Sequence, residues 1–142
     1  MIDWVLTSKI VYDSALIGTS LIAFRWGSFD EKLGATIALV ASGITALVPP
    51  IAAALHFKGR YGFGAIDLAT LIAFDAMMVR SCRFWPIWAT GIQLAAIFLD
   101  LAYVLWPVAA RAFVPLSQLW AYPILAMIAF ASLRHRGKRA RA

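Results

Sequence analysis

The chain has 142 residues and a formal net charge of +6; 63% of the residues are hydrophobic, only 14% are charged, and the mean hydropathy is +0.81. Water-soluble domains sit at about 45–50% apolar and about 25% charged, so this composition excludes an ordinary soluble domain and points to a protein of the lipid bilayer. The excess positive charge does not indicate nucleic acid: five of the 13 basic residues (Arg134, Arg136, Lys138, Arg139, Arg141) fall in the last nine positions, with no aromatic-interleaved basic face beside them.

A hydrocarbon core of about 30 Å is crossed by about 20 helical residues. On that measure the sequence predicts an all-α, polytopic transmembrane helix bundle with five spans near 4–24, 34–55, 61–79, 85–106 and 113–133. Residues 1–133 then form one transmembrane domain and 134–142 a basic cytoplasmic tail. The first segment has no basic stretch ahead of its apolar run and no small-residue cleavage site, so it reads as a retained span. Lys9 and Asp13 interrupt it; were it to lie on the membrane surface, the count would fall to four. The second span carries small residues at near-helical spacing (Gly34, Ala38, Ala41, Ser42, Ala46), which suit close helix packing. Further along it, Thr45 is followed by Pro49 and Pro50, which delete backbone donors and are expected to open the helix around Ile44–Ala46.

The third and fourth spans carry Asp67 and Asp75, then Gln93 and Asp100. A carboxylate in hydrocarbon costs at least about 2.5 kcal/mol, so three in two neighbouring spans demand partners. The fifth span adds Ser117, Gln118, Tyr122 and Pro123. Counting Lys and Arg on alternate sides gives nine on one (Arg25, Lys32, Arg80, Arg83 and the five in the tail) and three on the other (Lys58, Arg60, Arg111). The richer side faces the cytoplasm, so the N-terminus is expected outside and the C-terminus inside, in a cell membrane such as the bacterial inner membrane. Trp4, Trp26, Tyr61, Trp85 and Trp106 fall at span ends, where amphipathic rings favour the headgroup layer.

Helical rise converts position into depth. Measured from span midpoints, Asp67 and Asp100 lie at similar depths in the outer half, and Asp75 and Gln93 match each other in the inner half. Lys9 and Asp13, four apart, are placed to pair along one helix face. Polar groups thus gather in the outer half, predicting a cavity that opens outward, with Lys9, Asp13, Asp67 and Asp100 as its proton-, cation- or solute-binding set. Thr45, Pro49, Asp75, Gln93 and Gln118 support it. The alternative for Asp67, Asp100, Thr45, Gln93 and Gln118 is interhelical hydrogen bonding without ligand, for Lys9 a salt bridge with Asp13 that lets both enter the membrane, and for Asp75 a reach toward Arg80. Two acids sharing one site titrate as a pair, the chemistry of a proton or cation site.

Cys82 alone rules out an internal disulfide and reads as a reduced bystander thiol. His56 and His135 fall on opposite sides, which excludes a shared metal. No nucleophile–base set, phosphate loop or metal-ligand spacing occurs, so a non-enzymatic protein without cofactor or metal is expected. The leading expectation is a small membrane protein that binds or conducts a proton, cation or small polar solute. The alternatives are an accessory subunit of a larger membrane complex, and a regulated pore former in lysis or defence. Expected partners are the bilayer, anionic headgroups at the basic tail, and further copies of the chain or another membrane subunit.

Overall fold

Long apolar runs broken by a few polar residues favour helices joined by tight connections, and the computed structural model of the chain has that form. It describes residues 2–55, 59–105 and 118–139. Among these there are five α-helices and no strand: α1 (Ile2–Trp26), α2 (Phe29–Leu55), α3 (Gly59–Arg80), α4 (Trp85–Leu105) and α5 (Ala121–Arg139). A 3₁₀ turn, Gln118–Trp120, leads into α5. Of the expected spans, Trp106 and residues 113–117 lie outside the described residues, as do His56 and Arg141.

Helices α1, α3 and α4 match their expected segments closely, whereas α2 starts at Phe29, five residues before the expected 34. The cause is a capping box. Ser28 and Glu31 have the S-x-x-E spacing: the Ser28 N–H donates to Glu31 Oε2 at 2.7 Å, and the Ser28 carbonyl accepts from the Lys32 N–H at 3.1 Å. Hydropathy discounts Asp30, Glu31 and Lys32, but the cap makes them the first turn of the helix, where acids also suit the macrodipole. Pro49 and Pro50 do not break α2, which runs through both to Leu55. A proline ring already holds a helical φ, so what is lost is two backbone donors and not the helical path. The basic segment likewise continues α5 as helix to Arg139.

The helices follow one another around a ring. α1 packs on α2 and α5, α3 lies between α2 and α4, and α5 also touches α2 and α4. The core is formed by Ala23, Ala35, Phe74, Met77, Trp85, Ala89, Ile124 and Ile128. It draws on the ends of α1 and α3, the starts of α2 and α4, and the first half of α5, and it reaches the connections 27–28 and 81–84. Two glycines permit this closeness. A Cβ on Gly27 would meet Ala23 O, Glu31 Cβ and Ser132 Oγ, and one on Gly34 would run into the Trp85 ring.

Among the described residues, two helices are long and apolar enough to cross a membrane, over Phe29–Ile51 and Gly62–Arg80; α4 adds a shorter apolar stretch, Trp85–Leu99. Only 17% and 11% of the two longer windows is buried within the fold, so their apolar side chains point mostly outward. Val40, Ile44, Leu47, Leu68, Ile72 and Val79 are among the exposed ones.

Candidate functional site

The acids expected in the membrane meet different environments. Asp67, half-buried on α3, faces Gln93, buried on α4. The Gln93 amide donates through Nε2 to Asp67 Oδ1 at 2.9 Å, with the Asp67 carbonyl oxygen 3.4 Å from the same nitrogen. This corrects the depth matching drawn from span midpoints, which set Gln93 against Asp75. Midpoints assume antiparallel helices with no stagger; the observed pairing shifts the register of α3 on α4. Asp75 is exposed, and among the described residues it forms no ion pair with Arg80.

Lys9 and Asp13 lie exposed on α1, and the expected Lys9–Asp13 bridge is not among the ion pairs of the described residues. They sit on α1, which packs mainly on α2 and α5, whereas Asp67 sits on α3, which packs mainly on α2 and α4. Thr45 and Pro49 are exposed on α2. Asp100 lies on α4, seven residues beyond Gln93 and so on a shared helix face, and Gln118 opens the 3₁₀ turn; their side chains lie outside those described. Between the helices, the Tyr12 and Ser42 hydroxyls share a hydrogen bond at 2.7 Å, and the Tyr12 ring meets Tyr122 edge-on at 5.9 Å. That contact ties α1, α2 and α5 in the half away from the connections.

Among the described residues, a dense polar cluster that hydropathy conceals lies at the end where the α1–α2 and α3–α4 connections meet. Glu31 is fully buried. Its Oε1 accepts from Arg83 Nη1 at 2.7 Å, and its Oε2 accepts from the Ser28 N–H and the Ser28 hydroxyl. Asp30 Oδ2 accepts from the Ser81 hydroxyl at 2.8 Å and lies 3.5 Å from Arg83 Nε. The Arg83 N–H in turn donates to Ser81 Oγ at 3.2 Å. Arg83 thus clamps two acids of the first turn of α2, and the acids, serines and arginine satisfy one another. At the same end the Arg136 guanidinium lies 4.5 Å over the Trp26 ring, fastening α5 to α1. Arg25, Lys32, Arg80 and Arg134 are exposed around this end. The S-x-x-E spacing was the signal available for Glu31; nothing in the sequence points from Glu31 to Arg83.

Among the described residues, two of the grooves on the bundle's outer surface are shallow and apolar. One, of about 400 Å³, lies along α4 toward Trp120; the other, of about 380 Å³, lies between α2 and α3. The hydroxyls of Thr36 and Thr70 in the second groove donate to carbonyls one turn back, Lys32 O and Ile66 O, so they present no free donor. Among the described residues no three of His, Cys, Asp and Glu converge. No protein-family model, characterised protein or solved structure matches the chain.

Proposed function

We propose that this is a non-enzymatic, multi-pass protein of the cell membrane, N-terminus outside and C-terminus inside, that works as one subunit of an intramembrane assembly. One observation carries the reading: Lys9, Asp13 and Asp75 are exposed on helices whose other outward side chains are largely apolar. A lipid-facing charge costs about 2.5–3.5 kcal/mol at the bilayer centre, so charges on a membrane surface call for a covering partner. The low burial of α2 and α3 supports the membrane setting, because the core helix of a water-soluble fold is covered by its neighbours. The basic end, with Arg25, Lys32, Arg80 and Arg134 exposed, suits the cytoplasmic side and its anionic headgroups.

Purification in mild detergent followed by mass analysis of the intact assembly tests this. A homo-oligomer or a stoichiometric foreign subunit is expected, weakened by neutralising Lys9 and Asp13 together. A monomer free of partners rules the reading out.

A second reading, binding or conduction of a proton or cation, has one feature in its favour. Asp67 holds a half-buried carboxyl against the Gln93 amide, in the interface of α3 with α4. Its test is flux into proteoliposomes: Asp67→Asn abolishes it if the carboxyl carries the ion and leaves it unchanged if the pair only joins helices.

A further inference from the structure

Helix α1 sets a mixed charge on a largely apolar outer face. Ile10, Asp13, Ile17, Leu21 and Phe24 follow at steps of three and four residues, which places them on one side of the helix, with Lys9 at its edge. All six are exposed, although α1 packs on α2 and α5. Tyr12 fixes the rotation that leaves them so. Its hydroxyl shares a hydrogen bond with Ser42 of α2, its ring meets Tyr122 of α5, and Leu16, Ser20 and Ala23 are buried further along the same inward side. Turning Lys9 or Asp13 inward would break both Tyr12 contacts. Neither forms an ion pair among the described residues, and lysine ahead of aspartate is the weaker order for a pair four apart on one helix. The face therefore presents one cation and one anion, about 6 Å apart along the helix axis, with no counter-charge for either among the described residues.

We propose that this face docks on the same face of a second copy of the chain, with Lys9 of each copy paired to the partner's Asp13. Charge complementarity selects the occupant. A twofold axis along the membrane normal sets the face against itself, so one cation and one anion become two cross-pairs that close into a neutral set. The offset of one helical turn between the two positions is within reach of the long lysine stem. Acyl chains offer neither charge a partner. The inference rests on the assembly reading above and names the partner that reading leaves open.

The test pairs two variants of the full chain. Asp13→Lys gives a face with two cations and Lys9→Glu a face with two anions, so each should lose self-association about tenfold through like-charge repulsion. Mixed in equal amounts, they should form hetero-pairs close to the wild-type level, read by intact-complex mass analysis in mild detergent with one variant isotopically labelled. If mixing restores nothing, the proposal is overturned, whether the charges serve within one chain or toward another protein. Should either variant fail to insert, oxidative crosslinking in membranes decides, in a Cys82→Ser background. Ile10→Cys should then crosslink to a dimer about tenfold more than Val11→Cys, which is also exposed but lies about 100° round the helix. Equal crosslinking overturns the proposal. A stoichiometric foreign subunit without a second copy overturns it too and leaves the assembly reading standing, whereas a monomer free of partners removes both.

Discussion

Arg83→Met should destabilise the fold by breaking a buried ion pair from one side. Methionine keeps most of the apolar stem and removes the guanidinium, leaving Glu31 fully buried without its cation. Breaking a buried pair from one side costs about 3–5 kcal/mol. Two features lower that figure here: Arg83 has 36% of its side chain exposed, and the Ser28 N–H and hydroxyl still hold the carboxylate. The expected loss is therefore about 2–3 kcal/mol. Glu31→Gln should cost less, about 1–2 kcal/mol, because the amide keeps an oxygen for Ser28 and Arg83 retains solvent and Asp30. The two changes share one interaction, so the double variant should be less destabilised than the sum by at least about 1 kcal/mol. The assay is reversible unfolding of all four proteins in mixed micelles on a denaturing-detergent gradient, followed by helical circular dichroism. An Arg83→Met loss under about 0.5 kcal/mol, or additivity within that margin, would refute the clamp as an energetic element.

Further outcomes are expected from the same gradient and from labelling. Gln93→Leu should cost about 1–2 kcal/mol by leaving Asp67 Oδ1 without its amide donor, whereas Asp67→Asn, which keeps an acceptor oxygen, should stay within about 0.5 kcal/mol of wild type; equal losses would show that the hydrogen bond is not what matters. Gly34→Val should cost about 1–3 kcal/mol because the new Cβ meets the Trp85 ring, while Gly43→Ala, with nothing within 4 Å of its Cβ, should be neutral or stabilising by up to about 1 kcal/mol; the reverse order would refute the packing at the basic end. Cys82 is exposed in the α3–α4 connection, so a membrane-impermeant maleimide should label it in inverted vesicles and not in intact cells. Labelling in intact cells would reverse the proposed orientation.

Helix positions were largely readable from the sequence because apolar length is a property of local segments: α1, α3 and α4 needed nothing more. The start of α2 escaped a hydropathy criterion, since its first turn is its most polar part and is held by Ser28 and Glu31. Side-chain partners were less readable. Asp67 finds Gln93, and not a residue of matched depth, because the stagger of α3 on α4 comes from packing distributed over both helices. The charged clamp was unreadable for a related reason: Asp30, Glu31 and Arg83 each resemble ordinary boundary residues until two connections some fifty positions apart are brought together. Lys9 and Asp13 share a helix face as their spacing implies, yet adjacency on a helix does not oblige two exposed side chains to pair.

The capping box also bears on how the chain is made. Arg83 follows Glu31 by 52 positions, so during synthesis the acid exists well before its cation does. Through that interval Ser28 alone can hold the Glu31 carboxylate at the head of α2, with two donors from the turn itself. The α1–α2 hairpin, closed by only Gly27 and Ser28, can thus form with its acid already folded back onto its own turn. When the second connection emerges, Arg83 finds a preformed receptor, and the two hairpins lock in an order set by the direction of translation.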